Sequence, residues 1–318
     1  MLKKSIFALA ATASVSLLVM SLPGCGGGGG GGGTAAGGGL PPNTATINEV
    51  YTIDNNTGTV YVFARTASGV TAPLRTINYG QPAGMAYDGI AVDRVNNEIF
   101  TVSEAGGTIY ALSRTASGVV SPLRTISGAA TTLNVPVLLT VDSVNNELVV
   151  ANFGSANVLT FPRAASGNVA PIRTLSSPLF VRPEGVTVDT VNNELIVGDN
   201  SAAGILVFGR AASGAAAPIR QLTSAQNAVG VVVDYLNNEI IEGNQIGISV
   251  FSRTASGVAS PLRTVATGGF DVALDNVNNE IWGSNLFNNT IDVYARTASG
   301  VPPLRTIAVS APWGIGTY

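Results

Sequence analysis

The stretch GVTVDTVNNELIVGDNSAAGILVF, residues 185–208, contains three short runs of β-branched and apolar residues. Clusters of Asn, Asp, Gly and Ser separate the runs, and these residues favour tight turns. A fourth run follows at residues 218–222, after the pentapeptide RAASG at residues 210–214. The pattern predicts four consecutive antiparallel strands joined by hairpins.

This unit recurs along the chain, marked by R(T/A)ASG and by (V/L)NNE. The pentapeptide arginines, spaced 43 to 49 residues apart, are Arg65, Arg114, Arg163, Arg210, Arg253 and Arg296. The glutamates of the second marker are Glu98, Glu147, Glu194, Glu239 and Glu280, with Asn48-Glu49 as a degenerate sixth copy. Four strands in a repeat of about 45 residues is the size of a β-propeller blade.

The two chain ends predict how the ring of repeats closes. The first repeat begins at a second strand, residues 47–53, and the tail at residues 312–318 aligns with the first strand at 183–189. We therefore expect an all-β, six-bladed β-propeller over residues 44–318, with four antiparallel strands per blade. Its C-terminal strand would join the three N-terminal strands. No 3.6-residue apolar period indicates a helix after residue 40.

The repeat resembles that of the NHL-repeat β-propellers. Their pattern P-x-G-V-x-V-D is matched at residues 183–189, I-x-V-x-D at 195–199 and I-x-V-F at 205–208. The resemblance covers residues 46–318 and implies the propeller fold. It does not imply one function, because such propellers serve as adhesion, scaffold, sensor and enzyme domains.

The N-terminal segment has the layout of an export signal. Lys3 and Lys4 precede an apolar run at residues 6–20, and Leu22-Pro23-Gly24-Cys25 follows, which resembles a bacterial lipobox. The resemblance implies a signal peptide at 1–24 and a lipidated Cys25. Residues 25–43 then form a glycine-rich, flexible tether. Glycine at position 26 favours the outer membrane, so we expect an exported chain anchored by lipid to the cell envelope. The alternative is ordinary secretion with an incidental cysteine.

Composition removes several kinds of chemistry. The chain has 16 Lys and Arg against 19 Asp and Glu, and both lysines lie in the signal segment, so we expect no nucleic-acid partner. It contains no histidine and one cysteine. Ser-His-Asp catalysis, Schiff-base chemistry and thiol catalysis are therefore excluded from the mature chain. Only carboxylate or bound-metal chemistry stays open.

Loop lengths separate the two faces of the expected propeller. The first-to-second loops and the third-to-fourth loops share one end, here named the regular face, and their lengths are nearly constant. Such constancy indicates a packing requirement, with arginine and glutamate paired within or between blades. The alternative is a ring of Arg-Ser sites for an anionic polymer. The second-to-third loops and the blade crossings share the other end, the variable face, where we expect ligands to bind.

Two rings of positions on the variable face are candidate binding residues. The first ring lies five residues after each marker glutamate and comprises Asp54, Ser103, Asn152, Asp199, Asn244 and Asn285. The second lies near the channel mouth and comprises Asp88, Val137, Glu184, Val229, Phe270 and Trp313. They are interpreted either as strand-end caps and channel lining, or as a mixed aromatic and acidic patch for a sugar or peptide.

A further hypothesis places a cation at the channel mouth. Asp88, Glu184 and Asp199 offer the oxygen ligands that Ca²⁺ or Mg²⁺ takes. Glu184-Gly185 resembles a motif of gluconolactonase-like propellers, which implies a cation-dependent hydrolase or lactonase. The favoured hypothesis is a monomeric, non-enzymatic binding or assembly module without a cofactor. Its partner would be an envelope protein or glycan, and it would touch the membrane through its lipid alone. A purely structural envelope protein is the third possibility.

Overall fold

The computed structural model describes residues 14–18, 49–82, 84–266 and 269–313. They form six antiparallel sheets, one for each repeat, with the strands of each sheet in chain order. The inner strands of neighbouring sheets contact one another in a closed cycle. The chain is therefore a six-bladed, all-β propeller, as its repeats predict. Within the described ranges no helix is long and apolar enough to cross a membrane.

The first three blades contain four strands each, ordered from the channel outward. Blade 1 comprises Ser14–Leu18, Glu49–Ile53, Val60–Ala64 and Arg75–Asn78. Blade 2 comprises Tyr87–Asp93, Glu98–Ser103, Thr108–Ser113 and Arg124–Ile126. Blade 3 comprises Pro136–Asp142, Glu147–Asn152, Asn157–Pro162 and Arg173–Ser176.

The other three blades repeat this plan. Blade 4 comprises Pro183–Asp189, Glu194–Asp199, Gly204–Gly209 and Arg220–Leu222. Blade 5 comprises Gly230–Asp234, Glu239–Asn244, Gly247–Ser252 and Arg263–Val265. Blade 6 comprises Gly269–Asp275, Glu280–Asn285, Thr290–Ala295 and Arg305–Ala308. The short strands Gly118–Val119 and Gly214–Ala215 add to the outer edges of blades 1 and 3. Two 3₁₀ turns lie at Ala129–Thr131 and Phe153–Ser155.

In blades 2 to 6, the aspartate that ends the first strand accepts a hydrogen bond from the backbone N–H of the first asparagine in the turn. In blade 2, Asp93 Oδ1 accepts from the backbone N–H of Val95 and Asn96 at 2.9 and 3.1 Å. Asn97 then adopts a φ of 55°, a left-handed conformation that asparagine tolerates. The second asparagine of the other NNE turns has a φ between 54° and 58°. The constant spacing on the regular face is therefore a turn requirement.

Six of the hydrophobic core clusters lie between adjacent blades, one for each pair. Val50 of blade 1 packs with Trp282 of blade 6 in the cluster that joins the two ends of the ring. The remaining five clusters join blades 1 and 2 through 5 and 6 in chain order. Each blade thus buries apolar side chains on both sheet faces, and no blade has a complete core by itself.

The inner strand of blade 1 differs from the expectation. The prediction assigns this strand to the C-terminal segment, of which residues 314–318 lie outside the described residues. The structure instead pairs Ser14–Leu18, from the expected signal segment, antiparallel to Glu49–Ile53. The physical reason is that the inner edge of Glu49–Ile53 needs backbone hydrogen-bond partners. The segment Ser14–Leu18, which contains one Val and two Leu, can supply a strand there.

The start of the predicted C-terminal strand nevertheless has the predicted register. Pro312 forms an antiparallel bridge with Asp54. The equivalent bridge in blade 4 joins Pro183 and Asp199. If residues 314–318 continued as the first strand of blade 4 does, their partners would be Ile53 to Glu49 in that order. Ser14 to Leu18 have those same five partners, in the same order.

Candidate functional site

The RTASG turns on the regular face connect adjacent blades. Each pentapeptide arginine reaches back to a carboxylate of the preceding blade. The ion-pair distances are 3.4 Å for Arg114–Glu49, 3.2 Å for Arg163–Asp93, 3.0 Å for Arg210–Glu147, 2.8 Å for Arg253–Glu194, 3.3 Å for Arg296–Glu239 and 3.3 Å for Arg65–Glu280. The last pair joins blade 1 to blade 6 and completes the ring. The prediction that these arginines pair with carboxylates is confirmed.

The glycine of each pentapeptide makes a second connection between blades. Gly69 bridges Ile307, and Gly257 bridges Leu222, each in parallel with the outermost strand of the preceding blade. These glycines have φ values of 66° and 64°, in the left-handed region that glycine adopts without strain. The pentapeptide is therefore a structural connector, and its arginines are already paired with protein carboxylates.

A fourth-strand arginine completes each ion-pair group. Arg173 binds both carboxylate oxygens of Glu147, at 2.7 and 2.5 Å. This hydrogen bonding lowers the pKa of Glu147 against the opposing effect of burial. Arg305 binds Glu280 in the same way and lies 4.7 Å from the ring centre of Trp282. Charge on the regular face is thus neutralised locally.

On the variable face, the first candidate ring caps the loops. Asp54 Oδ1 accepts from the N–H groups of Asn56 and Thr57 at 2.9 and 3.0 Å. Asp199 Oδ2 accepts from the N–H groups of Val181 and Arg182 at 2.9 and 3.0 Å. Backbone hydrogen bonds of the same kind are accepted by Ser103, Asn152, Asn244 and Asn285. These side chains fix the loops that carry any ligand site.

The apolar members of the second ring meet at the channel mouth. Val137, Val229, Phe270 and Trp313 are buried in one cluster with Leu138 and Ala311. The rings of Phe270 and Trp313 are stacked, with centroids 4.7 Å apart and an interplanar angle of 23°. The channel is therefore closed at this end by side chains, and the expected aromatic patch is mostly buried.

The acidic members, Asp88 and Glu184, occupy the same end of the channel. Asp88 Oδ1 accepts from Asn55 Nδ2 at 2.6 Å. Burial raises the pKa of Asp88 well above its usual range, and the nearby Glu104 and Glu184 raise it further. Burial also raises the pKa of Glu184 to about 7, although Asn200 and Arg182 bind its carboxylate and oppose the shift. Burial therefore shifts the pKa of both acids upward.

The three proposed cation ligands do not form a cation site. Asp199 accepts hydrogen bonds from backbone N–H groups of its loop. Glu184 accepts hydrogen bonds from the side chains of Asn200 and Arg182, and Asp88 accepts one from Asn55. In the described part of the chain, no group of three or more carboxylate or thiol side chains is arranged to hold a metal ion. Asp88 and Glu184 are close enough to interact electrostatically, but each of the three carboxylates is hydrogen-bonded to a different protein group.

Two buried acids were missed by the sequence analysis. Burial raises the pKa of Glu242 to about 8, against hydrogen bonds from Asn244 and Ser249. Burial also raises the pKa of Asp271 well above its usual range. Glu242 Oε2 and Asp271 Oδ2 have no hydrogen-bond partner among the described residues. The repeat carried a signal for both, because the other blades have Thr, Val or Gly at the position of Glu242 and mostly Gly at the position of Asp271.

A groove of about 500 Å³ lies between blades 5 and 6 at the outer rim of the variable face. Its lining includes Asn285, Thr290 and the buried Asp292. Asn285 Nδ2 and Thr290 Oγ1 each donate to Asp292 at 2.9 Å. At the rim, Ile246 is 84% exposed, and the neighbouring loop carries Phe287, which is 64% exposed. The groove has a polar floor and an apolar edge.

A second concavity, of about 340 Å³, lies between blades 2 and 3. The glycine-containing second-to-third loop of blade 2 and the crossing around Ala129 form its walls. Its polar side chains are Glu104, Thr132 and Asn134. Both concavities open on the variable face, where the sequence predicts ligand binding.

Comparison with known proteins shows the fold class. A chain in the crystal structure of the nidogen/laminin complex matches with a TM-score of 0.62 and 12% identity, over 84% of this chain and 96% of that chain. The WD40 β-propeller domain of Doa1 matches with a TM-score of 0.57 and 12% identity, over 83% and 80%. A functionally unknown protein from Desulfotomaculum acetoxidans DSM 771 has a TM-score of 0.58 and 13% identity, over 84% and 86%.

At these identities the similarity shows the β-propeller fold alone. No family model and no curated protein matches the chain. The resemblance to NHL repeats therefore stays a prediction, whereas the propeller architecture is confirmed.

Proposed function

We propose that this chain is a lipid-anchored propeller of the cell envelope that binds a protein or glycan through its variable face without catalysing a reaction. The propeller fold commonly serves as a scaffold for protein interactions, which supports the general class. The anchor at Cys25 and the outer-membrane location rest on the sequence motif. The binding role rests on the shape and chemistry of the variable face.

The groove between blades 5 and 6 carries the proposal. Its volume of about 500 Å³ falls in the range of small-ligand and peptide sites. The buried Asp292 presents a carboxylate ordered by Asn285 and Thr290, and Ile246 adds apolar surface at the edge. Asp292 departs from the repeat, because the equivalent positions in other blades hold Tyr, Leu or Ser. A polar floor with an apolar edge fits a peptide or sugar carrying both hydroxyl or amine donors and apolar groups.

Site-specific photo-crosslinking in intact membranes tests this function. A photoreactive residue at Phe287, beside the groove, is expected to give one discrete adduct with a partner. The same residue at Tyr235, which is 50% exposed on the regular face, is the matched control and is expected to lack that adduct.

A second variant tests whether the groove itself binds the partner. Asn288→Trp, at an exposed lining position, is expected to fill the groove and abolish the Phe287 adduct without lowering the melting temperature. An adduct of the same mass from Tyr235, or one that Asn288→Trp leaves unchanged, contradicts the proposal.

The geometry does not favour the cation-dependent hydrolase or lactonase. The acids Asp88, Glu184 and Asp199 have separate protein partners. A lactone or phosphodiester assay with and without chelator tests this alternative directly. A chelator-sensitive rate that Glu184→Gln abolishes would overturn the non-enzymatic proposal.

A further inference from the structure

We infer that the regular face of the propeller lies against a lipid bilayer, in addition to the lipid anchor. The inference rests on the proposed anchoring for the position of the chain. Its surface argument is independent of that anchoring. It also gives the proposed binding function an orientation, because the variable face would then point away from the membrane.

Exposed apolar side chains are concentrated on the regular face. The described residues include twenty large apolar side chains with high exposure, and sixteen of them lie on first-to-second or third-to-fourth loops. Only Leu179, Val181, Ile246 and Phe287 lie on the variable face. Such one-sided exposure on a folded domain indicates an interaction surface.

These side chains form two concentric rings, because blades 2 to 6 contribute both loops and blade 1 contributes its third-to-fourth loop. The outer ring, at the entrance of each fourth strand, comprises Leu74, Leu123, Ile172, Ile219, Leu262 and Leu304, all at least 51% exposed. The inner ring, at the NNE turns, includes Val95, Val144, Val191, Leu236 and Val277. The most exposed large apolar side chains of this face are Val70, at 97%, and Val258, at 91%.

The charge of this face suits a bilayer and not an ionic partner. The six third-to-fourth loops, residues 65–75 in blade 1 and their repeats, contain neither an acidic residue nor a lysine. Their arginines pair with a carboxylate of the preceding blade or of their own blade, as Arg253 and Arg220 both do with Glu194. A surface of exposed apolar side chains with neutralised charges matches a membrane interface better than a charged protein or nucleic acid.

The position at which the tether joins the propeller also favours a lipid bilayer at the regular face. Glu49 starts the second strand of blade 1, and second strands start on the regular face. Cys25 lies 24 residues before Glu49 in the sequence. If the glycine-rich segment behaves as the flexible tether that its sequence predicts, its root-mean-square span is roughly 25–30 Å. A lipid on Cys25 would therefore hold the bilayer close to the regular face.

An environment-sensitive fluorophore can test the orientation, because Cys25 is the only cysteine. Val258→Cys and Ile246→Cys are a matched pair: both are in blade 5 and highly exposed, but they lie on opposite faces. Each lipidated variant is labelled with NBD and reconstituted into phosphatidylcholine vesicles containing nitroxide-labelled lipid. We expect blue-shifted emission and several-fold stronger quenching at position 258 than at 246. Equal quenching at the two positions overturns the inference.

Two controls separate the competing outcomes. If mass spectrometry shows no lipid on Cys25, the anchoring proposal fails; quenching at position 258 with added vesicles would then still support the apolar face. The unlipidated Cys25→Ser chain labelled at position 258 is also diluted without vesicles. A blue shift that depends on protein concentration would assign the face to a second copy of the chain and overturn the bilayer inference.

Discussion

The guanidinium of Arg65, in blade 1, lies 3.3 Å from the carboxylate of Glu280, in blade 6. An equivalent pair, Arg296 and Glu239, has the same distance between blades 6 and 5. The two contacts differ in one respect. Blades 5 and 6 are consecutive in the chain, whereas blades 1 and 6 are joined through non-covalent contacts. The Arg65 pair therefore stabilises the seam of the ring.

Arg65→Met is expected to lower the free energy of unfolding by on the order of 1 kcal/mol, since it leaves Glu280 with one arginine fewer in a half-buried group. The seam should also open locally. Hydrogen exchange is expected to rise at the backbone N–H of Gly69, which donates to Thr306. Arg296→Met is the control. Comparable exchange at Gly69 in both variants contradicts a special role for the seam pair.

The pentapeptide glycine gives a prediction about backbone conformation. Gly257 has a φ of 64° and open space where a Cβ would lie. Gly257→Ala should therefore cost about 1 kcal/mol of stability through backbone strain alone. Gly209→Ala, where the space is also open and φ is not left-handed, is expected to be neutral or slightly stabilising. Chemical denaturation of the two variants checks the difference, and equal stabilities would argue against the strain.

The inner strand of blade 1 gives a prediction about the chain ends. Ser14–Leu18 takes the five partners that the register of Pro312 assigns to residues 314–318. If the two segments use the same site, removing either alone should change the melting temperature little. Removing both should leave Glu49–Ile53 without an inner neighbour and lower the melting temperature sharply.

The test compares the full chain with three deletions: residues 1–24, residues 314–318, and both. A double deletion whose effect equals the sum of the two single effects would show that the segments act independently. Removal of a signal peptide at Cys25 would, on this account, transfer the site to the C-terminal strand.

Buried Glu242 gives a pH prediction. Its pKa of about 8 in the folded chain lies above its ordinary value of 4.5. The native state therefore holds this proton more tightly than the unfolded state. Stability should be unaffected by Glu242 below pH 4.5 and should fall as the pH rises toward 8, by on the order of 1 kcal/mol per pH unit.

Glu242→Gln removes that titration. Melting temperatures measured at pH 5 and pH 8 should show a larger loss in the parent chain than in the variant. Parallel losses in the two proteins would mean that Glu242 is not buried in its neutral form.

The fold was predictable because the repeat is explicit. Constant spacing between Asp93 and Glu98, and its copies, identified the hairpin, and the pentapeptide identified the turn into the outer strand. The closing strand was less predictable, because an inner strand needs only a short apolar segment, and the chain has two. The pairing register between the strand that ends at Ile53 and a segment far away in the sequence is not set by a local turn.

The sequence predicted which face of the propeller carries the candidate site, but it did not predict which residues line that site. Asp54 and its equivalents lie at the ends of second strands, where the following loop has free backbone N–H groups. Their side-chain oxygens accept hydrogen bonds from such groups. Phe270 and Trp313 close the channel because the inner strands converge there. The groove at Asp292 depends on the packing of two blades, which a sequence pattern does not contain. Deviations from the repeat at Asp292 and Glu242 were the available signal.

The central claim is that the two faces have different partners: lipid at the regular face and a protein or glycan at the variable face. Mass spectrometry of photo-adducts from intact membranes tests it most directly, with the photoreactive residue at Val258 or at Phe287. We predict lipid adducts from position 258 and a discrete protein or glycan adduct from position 287. Lipid adducts from both positions, or the same macromolecular adduct from both, would contradict the claim.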